Sequence, residues 1–391
     1  MRKFIFILSL LFSINPFTVQ AADNPLLSAD WWVDATPQMV ETAINNGADI
    51  ETKNAEGLTP LTIAVGNNQN SEVIETLIRY GTNLETRDNL DRTPLMSAAG
   101  YNQNPQVLEI LIKHGANVND RNEAGWTPLM YAAGYNQNPR VLEILIKYGA
   151  SVNGRNETGW TPLIFAAIYN QNPAVIEILI KYDADIKARD NKGLTPLMFT
   201  AGYNQNPEMT ETLIKHGADI KERNEAGWTP LIFATTFNQN PQVIETLIKL
   251  GANIRDRNDK GETPLMLAAI YNQNPAVIET LIKHGADIKD RDDKGVTPLM
   301  LAATNNPNPQ VIETLIKHGA DINERAKYDL TPLMLAAFNN QNPQVIETLI
   351  KLGADVKTKS TEGKTALDYT KDNPKIYRTD AYWLLNDKMY E

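Results

Sequence analysis

Three sets of side chains in this sequence are typed and spaced so that they could do chemistry: four histidines, a register of ten cations and a row of aromatic rings. His114, His216, His284 and His318 each stand just before a glycine, and metal binding is the chemistry such a set raises first. A zinc ion needs each ring nitrogen at about 2.1 Å, whereas packed helices lie about 8–10 Å apart, so even His284 and His318 on neighbouring helices would struggle to share one ion. A cationic ring is favoured at the C-terminal end of a helix, and that accounts for the placements without a metal. Cysteine is absent, which excludes disulfides, a lipid-bearing N-terminal cysteine and thiol chemistry. There is no phosphate-cradling glycine loop and no cluster of unlike titratable groups. The sequence therefore offers no catalytic, cofactor-binding or metal-binding residue, and the chain reads as a non-enzyme.

The cations are Lys53, Arg87, Arg121, Arg155, Arg189, Arg223, Arg257, Arg291, Arg325 and Lys359. Such a ladder could grip an anionic polymer. Acids accompany it at adjacent positions, among them Asp120, Asp190, Glu222, Asp256 and Asp290, so a structural charge ladder is the better reading. Glutamate and lysine four apart, as in Glu109 with Lys113 and Glu279 with Lys283, read as ordinary pairs on a solvated helix face. Asn-Gln-Asn runs, such as 102–104 and 272–274, form a polar edge. The last asparagine suits a helix cap and the rest suit mutual hydrogen bonding, with glycan recognition as the other use.

Tyr101, Tyr135, Tyr169, Tyr203, Phe237 and Tyr271 recur every 34 residues, while Trp126, Trp160 and Trp228 each precede a Thr-Pro pair. Tyr and Trp give large contact area at small entropic cost, so these residues form the candidate partner-binding set. Ring-on-ring packing between copies explains them equally well. The row fades toward the C-terminus, where Asn305 and Asn339 take the tyrosine position and Glu262, Val296 and Leu330 the tryptophan position.

The elements that must hold these rows in register come from one period. Thr-Pro-Leu begins at Thr59, Thr93, Thr127, Thr161, Thr195, Thr229, Thr263, Thr297 and Thr331, 34 residues apart, with a Thr-Ala-Leu copy at Thr365. Units this small cannot bury a core alone, so copies must stack and display equivalent side chains in rows. In the copy over 263–296, Thr263 suits a helix cap and Pro264 the first turn. Leu265, Leu267, Ala268 and Ala269 then line a short first helix. Asn274-Pro275 restarts the pattern, and Val277, Ile278, Leu281 and Ile282 mark a second amphipathic helix. Gly285 ends it, and residues 292–295 read as a tight turn.

The Thr-Pro-Leu, Ala-Ala, Gly-Ala-Asp and Asp-x-x-Gly elements resemble the ankyrin repeat across essentially all of the mature chain. The resemblance implies an all-α repeat solenoid of helix-turn-helix units with a β-hairpin loop, elongated and curved, with capping units at both ends. It also implies that both aromatic positions border the concave face through which such repeats grip partners. Two departures are regular. The family's histidine after Thr-Pro-Leu is usually methionine here (Met96, Met130, Met198, Met266, Met300, Met334), which should fill the gap apolarly. The Asn-Gln-Asn-Pro turn makes each repeat one residue longer than usual.

At the start, Arg2 and Lys3 precede an apolar run from Phe4 to Phe12, then Pro16 and Val19-Gln20-Ala21, the pattern of a secretory signal peptide over 1–21 with the mature chain beginning at Ala22. The run is about half of what a membrane span needs. A capping half-repeat is expected over 22–57, where Trp31 and Trp32 replace the Ala-Ala helix, then nine repeats over 58–364 and a capping repeat over 365–391. The terminal tryptophans, including Trp383, are expected to seal core edges. Asp183 replaces a helix-ending glycine and Asp91 and Asp329 replace turn glycines, which aspartate tolerates. Ala326-Lys327-Tyr328 is the least typical hairpin tip and a candidate contact point.

Without the signal, 35 basic residues face 47 acidic ones, a net charge near −12 that argues against a nucleic-acid partner. It favours a cationic protein partner, or simply solubility. The expectation is a monomeric, non-enzymatic protein–protein interaction scaffold, periplasmic or secreted, without cofactor and without membrane insertion after signal cleavage. The alternative is an envelope glycan or small-molecule binder using the Asn-Gln-Asn edge.

Overall fold

The computed structural model describes residues 24–391, so the signal peptide and its cleavage site lie outside the described residues. Among the described residues there are 22 α-helices and no strand. The chain divides into two compact units, the described part of the first covering 24–117 and the second 118–391. The described part of the first opens with a 3-10 turn Pro25–Leu27 and a short helix Ala29–Val33, followed by helices that end in the pair Pro94–Tyr101 and Pro105–Lys113. The second runs from Pro128–Tyr135 to a terminal helix Asp380–Tyr390.

Local chemistry explains each pair. In the repeat beginning at Thr161, Oγ1 of that threonine accepts the Ile164 N–H at 3.4 Å, and Pro162 fills the first helical position, where no donor is required. Oδ1 of Asn172 accepts the Ala174 N–H at 3.1 Å and starts the second helix, Pro173–Lys181. Leu163, Ala166 and Ala167 from the first helix and Val175, Ile176 and Leu179 from the second are buried. The next-to-last link is a left-handed residue, glycine in most repeats. Asp183 takes that conformation with φ 63°, as expected of the aspartate that replaces it.

The hairpins consist of turns. Asn156 sets one of them, its Oδ1 accepting the N–H groups of Thr158 at 3.0 Å and Trp160 at 2.8 Å. Gly159 completes it at φ 82°, and a Cβ there would lie 2.5 Å from Asn191 of the following hairpin. Both the conformation and the space demand glycine.

Two local expectations change. The methionines are buried as foreseen, but Sδ of Met130 and of Met266 also accepts the cap threonine's N–H, each at 3.4 Å. At the ends, Trp32 is fully buried and donates to the Leu26 carbonyl at 2.8 Å, sealing its edge. Trp383 does not seal anything: it is 52 % exposed. The terminal helix buries Ala381 and Leu385, four apart, which turns Trp383 outward against Tyr382 at 5.0 Å.

Candidate partner-binding face

In the second unit the aromatic positions form a connected sheet of rings. Trp126 meets Phe165 edge-on at 4.6 Å, Trp160 meets Phe199 at 5.3 Å, and Trp228 meets Phe233 at 5.3 Å. Tyr135 stacks on Tyr169 at 5.5 Å, and Tyr203 on Phe237 at 5.6 Å. The first helices position the tyrosine row, and the Asn-set turns fix the tryptophan backbones, since Asn122 and Asn224 accept the N–H groups of Trp126 and Trp228 at 2.8 and 2.9 Å.

Four members of this sheet were not in the candidate set: Tyr131, Phe165, Phe199 and Phe233. Each lies four residues before a ring of the tyrosine row, the spacing at which helical neighbours touch, and that pairing was the available signal. Tyr271 stands apart with 57 % exposure, and Tyr101 belongs to the first unit.

Glycine decides where rings stack. Gly134 leaves room for Phe165 and Tyr169, to which an added Cβ would stand at 3.6 Å, and Gly202 leaves the same room for Phe233. Ile168 occupies that position one repeat later, and among the described residues Tyr169 and Tyr203 share no ring contact. The rings are only partly covered: Tyr203 is 46 % exposed. Burial nevertheless pushes the Tyr169 hydroxyl up to about 12, and burial together with the nearby Asp190 carboxylate raises that of Tyr203.

The competing rows are occupied by stacking. Arg155, Arg223 and Arg257 each donate to the carbonyl of the next arginine in the ladder, at 2.5, 2.7 and 2.9 Å. Arg223 and Arg257 add ion pairs to Asp256 and Asp290, and Arg189 and Arg291 pair with Glu222 and Glu324. The guanidinium groups thus join hairpin to hairpin. Nδ1 of His114, His216 and His284 lies 2.9 Å from the carbonyl four residues back, which is a helix-end contact. Among the described residues no group of three or more His, Asp or Glu side chains is placed to hold a metal ion. Glu279 departs from the expected pairing with Lys283, reaching instead across to Lys317 at 3.3 Å.

The polar edge is likewise turned inward. Asn170 is fully buried, and its Nδ2 donates to the Ala133 and Asn136 carbonyls of the preceding repeat at 2.8 and 2.9 Å. Asn172 caps its helix and also donates to the Gln137 carbonyl at 2.8 Å. The middle glutamines Gln137 and Gln171 are exposed along this edge.

Helix pairs repeated in register, each presenting the same side-chain rows, define a stacked-repeat array. The chain belongs to the ankyrin repeat family: the family described as ankyrin repeats (3 copies) matches residues 33–122, 97–190, 169–258 and 236–326, and that described as ankyrin repeats (many copies) matches 315–369. Among solved structures, the chain is similar to the crystal structure of the human ASB11 ankyrin repeat domain, with 27 % identity and a TM-score of 0.51 over 59 % of this chain and 99 % of that one. A comparison with curated proteins finds no match. Ankyrin repeats generally serve as protein–protein interaction modules and are typically non-enzymatic scaffolds. Among the described residues no helix is long and apolar enough to cross a membrane.

Proposed function

We propose that this protein is a non-enzymatic, monomeric scaffold of the cell envelope or exterior that binds a partner protein through the face carrying its first helices and hairpin bases, the concave face of ankyrin arrays. The observation that carries the reading is the aromatic sheet from Trp126 to Phe237, whose rings contact one another yet keep exposed surface, as at Tyr203. Such rings are rigid, amphipathic and held in place before a partner arrives, so little entropy is lost on binding. The proposed location rests on the N-terminal pattern of Arg2, Lys3 and the apolar run that follows.

The test uses substitutions that the array already contains. Leucine stands at the tryptophan position in Leu194 and Leu330, and asparagine at the tyrosine position in Asn305 and Asn339. Trp126→Leu, Trp160→Leu and Tyr169→Asn together should abolish capture of the partner from the envelope fraction while helical circular dichroism is kept. Undiminished capture by that variant overturns the reading. Sequencing the exported chain checks the location, with Ala22 expected as the first residue.

A further inference from the structure

The hairpins that carry tryptophan differ from the others in charge as well. Their tips read Asn-Glu-Ala-Gly-Trp at 122–126, Asn-Glu-Thr-Gly-Trp at 156–160 and Asn-Glu-Ala-Gly-Trp at 224–228. Glutamate occupies the second place of the tip in these three hairpins and in no other. The remaining tips of the second unit each contain lysine: Lys192, Lys260, Lys294, Lys327 and Lys364. Tryptophan and glutamate therefore occur together, hairpin by hairpin, without lysine, whereas the other tips of the second unit carry lysine and no tryptophan, Asp259 and Asp293 lying directly beside Lys260 and Lys294.

The carboxylates are available. Glu123, Glu157 and Glu225 are exposed and form no ion pair or side-chain hydrogen bond among the described residues, whereas Glu222, Asp256 and Asp290 nearby are held by the arginine ladder. Among the described residues the indole N–H groups of Trp126, Trp160 and Trp228 also donate to no acceptor, unlike that of Trp32. Partly exposed rings on hairpins whose own tips carry exposed glutamate and no lysine match cationic side chains: the carboxylates draw them in, and the ring faces hold a flat guanidinium by cation–π contact.

Resting on the proposed function, we infer that the partner segment seated on this face is basic and arginine-bearing, with guanidinium groups stacked on the rings of the Trp126, Trp160 and Trp228 hairpins and paired with Glu123, Glu157 and Glu225. The acidic balance of the whole chain, 47 acidic against 37 basic residues, adds long-range attraction of the same sign but cannot by itself choose a face.

Two fluorescent peptides of equal length test this, one alternating arginine with glycine and serine, the other with glutamate in place of arginine, read by polarisation against the full mature chain. The arginine peptide should bind and the glutamate peptide should not, and binding should weaken with salt. Glu123→Gln, Glu157→Gln and Glu225→Gln together should weaken it by about tenfold, as should Trp160→Leu with Trp228→Leu. Removing the same number of charges from second helices, by Glu177→Gln, Glu313→Gln and Glu347→Gln, should change it little. Equal loss in the two glutamine sets, or arginine binding that survives both the hairpin and the tryptophan variants, overturns the inference. The two readings fail separately: partner capture lost in the tryptophan variants but unchanged in the hairpin glutamine variant leaves the scaffold standing and removes the basic segment.

Discussion

Replacing Asn170 by alanine should cost more than any other single polar truncation in its repeat. Its side chain is fully buried and makes three hydrogen bonds: Nδ2 donates to the carbonyls of Ala133 and Asn136 at 2.8 and 2.9 Å, and Oδ1 accepts the Asn172 N–H at 2.9 Å. Each bond is worth about 1 kcal/mol net, and leaving buried carbonyls and an N–H without partners adds their desolvation, so the loss should be about 3–5 kcal/mol. Asn172→Ala provides the internal scale, since it removes a partly exposed helix cap and one further bond, a loss of about 1–2 kcal/mol. Urea denaturation followed by circular dichroism, with amide exchange to locate the loosened repeats, measures both. Asn170→Asp sharpens the test, because a carboxylate of the same shape would face two carbonyl oxygens. Its folded-state pKa must then rise above the unfolded value, so the variant's stability is highest in acid and falls as pH rises through the carboxylate range. An Asn170→Ala loss no larger than that of Asn172→Ala would refute the assignment of the buried asparagine row as the joint between repeats.

Gly134→Ala should raise stability by about 0.5–1 kcal/mol, since the position is helical and the new Cβ meets Phe165 and Tyr169 at an ordinary 3.6 Å. Gly134→Ile should instead separate Tyr135 from Tyr169, visible as a change in near-ultraviolet dichroism. Thr210 is fully buried with an Oγ1 that finds no partner among the described residues, at a position held by Ile176 and Ile244 in adjacent repeats, so Thr210→Val should stabilise by about 1–2 kcal/mol; a lower melting temperature would contradict this. Because the Tyr169 hydroxyl is pushed from its ordinary 10.0 up to about 12 by burial, the fold favours its neutral form, and that contribution is complete below pH 10 and lost as pH rises toward 12. Tyr169→Phe should remove one late step from the tyrosinate absorbance titration, and an unaltered titration would count against the burial.

The helices were legible because each carries its own start and stop: threonine and proline, then asparagine and proline, then a left-handed glycine, all set by chemistry within a few residues. What the sequence hid was mostly contact between copies. The first asparagine of each run was readable as a hydrogen-bonding residue, but its partners lie 34 and 37 positions earlier on the backbone, as for Asn170, and no local pattern marks a backbone acceptor. Glu279 went to Lys317 for the same reason: a neighbouring helix competes with the residue four places on. Phe165 and its equivalents were passed over because Leu267, Leu301 and Leu335 fill that position elsewhere, making it look like plain core. Trp383 shows the limit of composition, since residue type favoured burial and helix phase determined otherwise.

A repeat array also makes it possible to separate what stacking requires from what it merely permits. Asn170, Arg223 and their equivalents bridge one copy to the next, so their recurrence follows from the need to join repeats. The tryptophan position is different. Leu194, Glu262, Val296 and Leu330 hold it in copies that stack through the same asparagine and arginine bonds, so stacking does not demand a ring there. The same holds for the second place of the hairpin tip, which accepts Asn191, Asp259, Asp293 or Lys327 as readily as glutamate. Tryptophan and a lysine-free glutamate tip nevertheless occur together in the same three hairpins, at two positions that stacking through asparagine and arginine leaves free. The basic partner segment inferred above accounts for both at once.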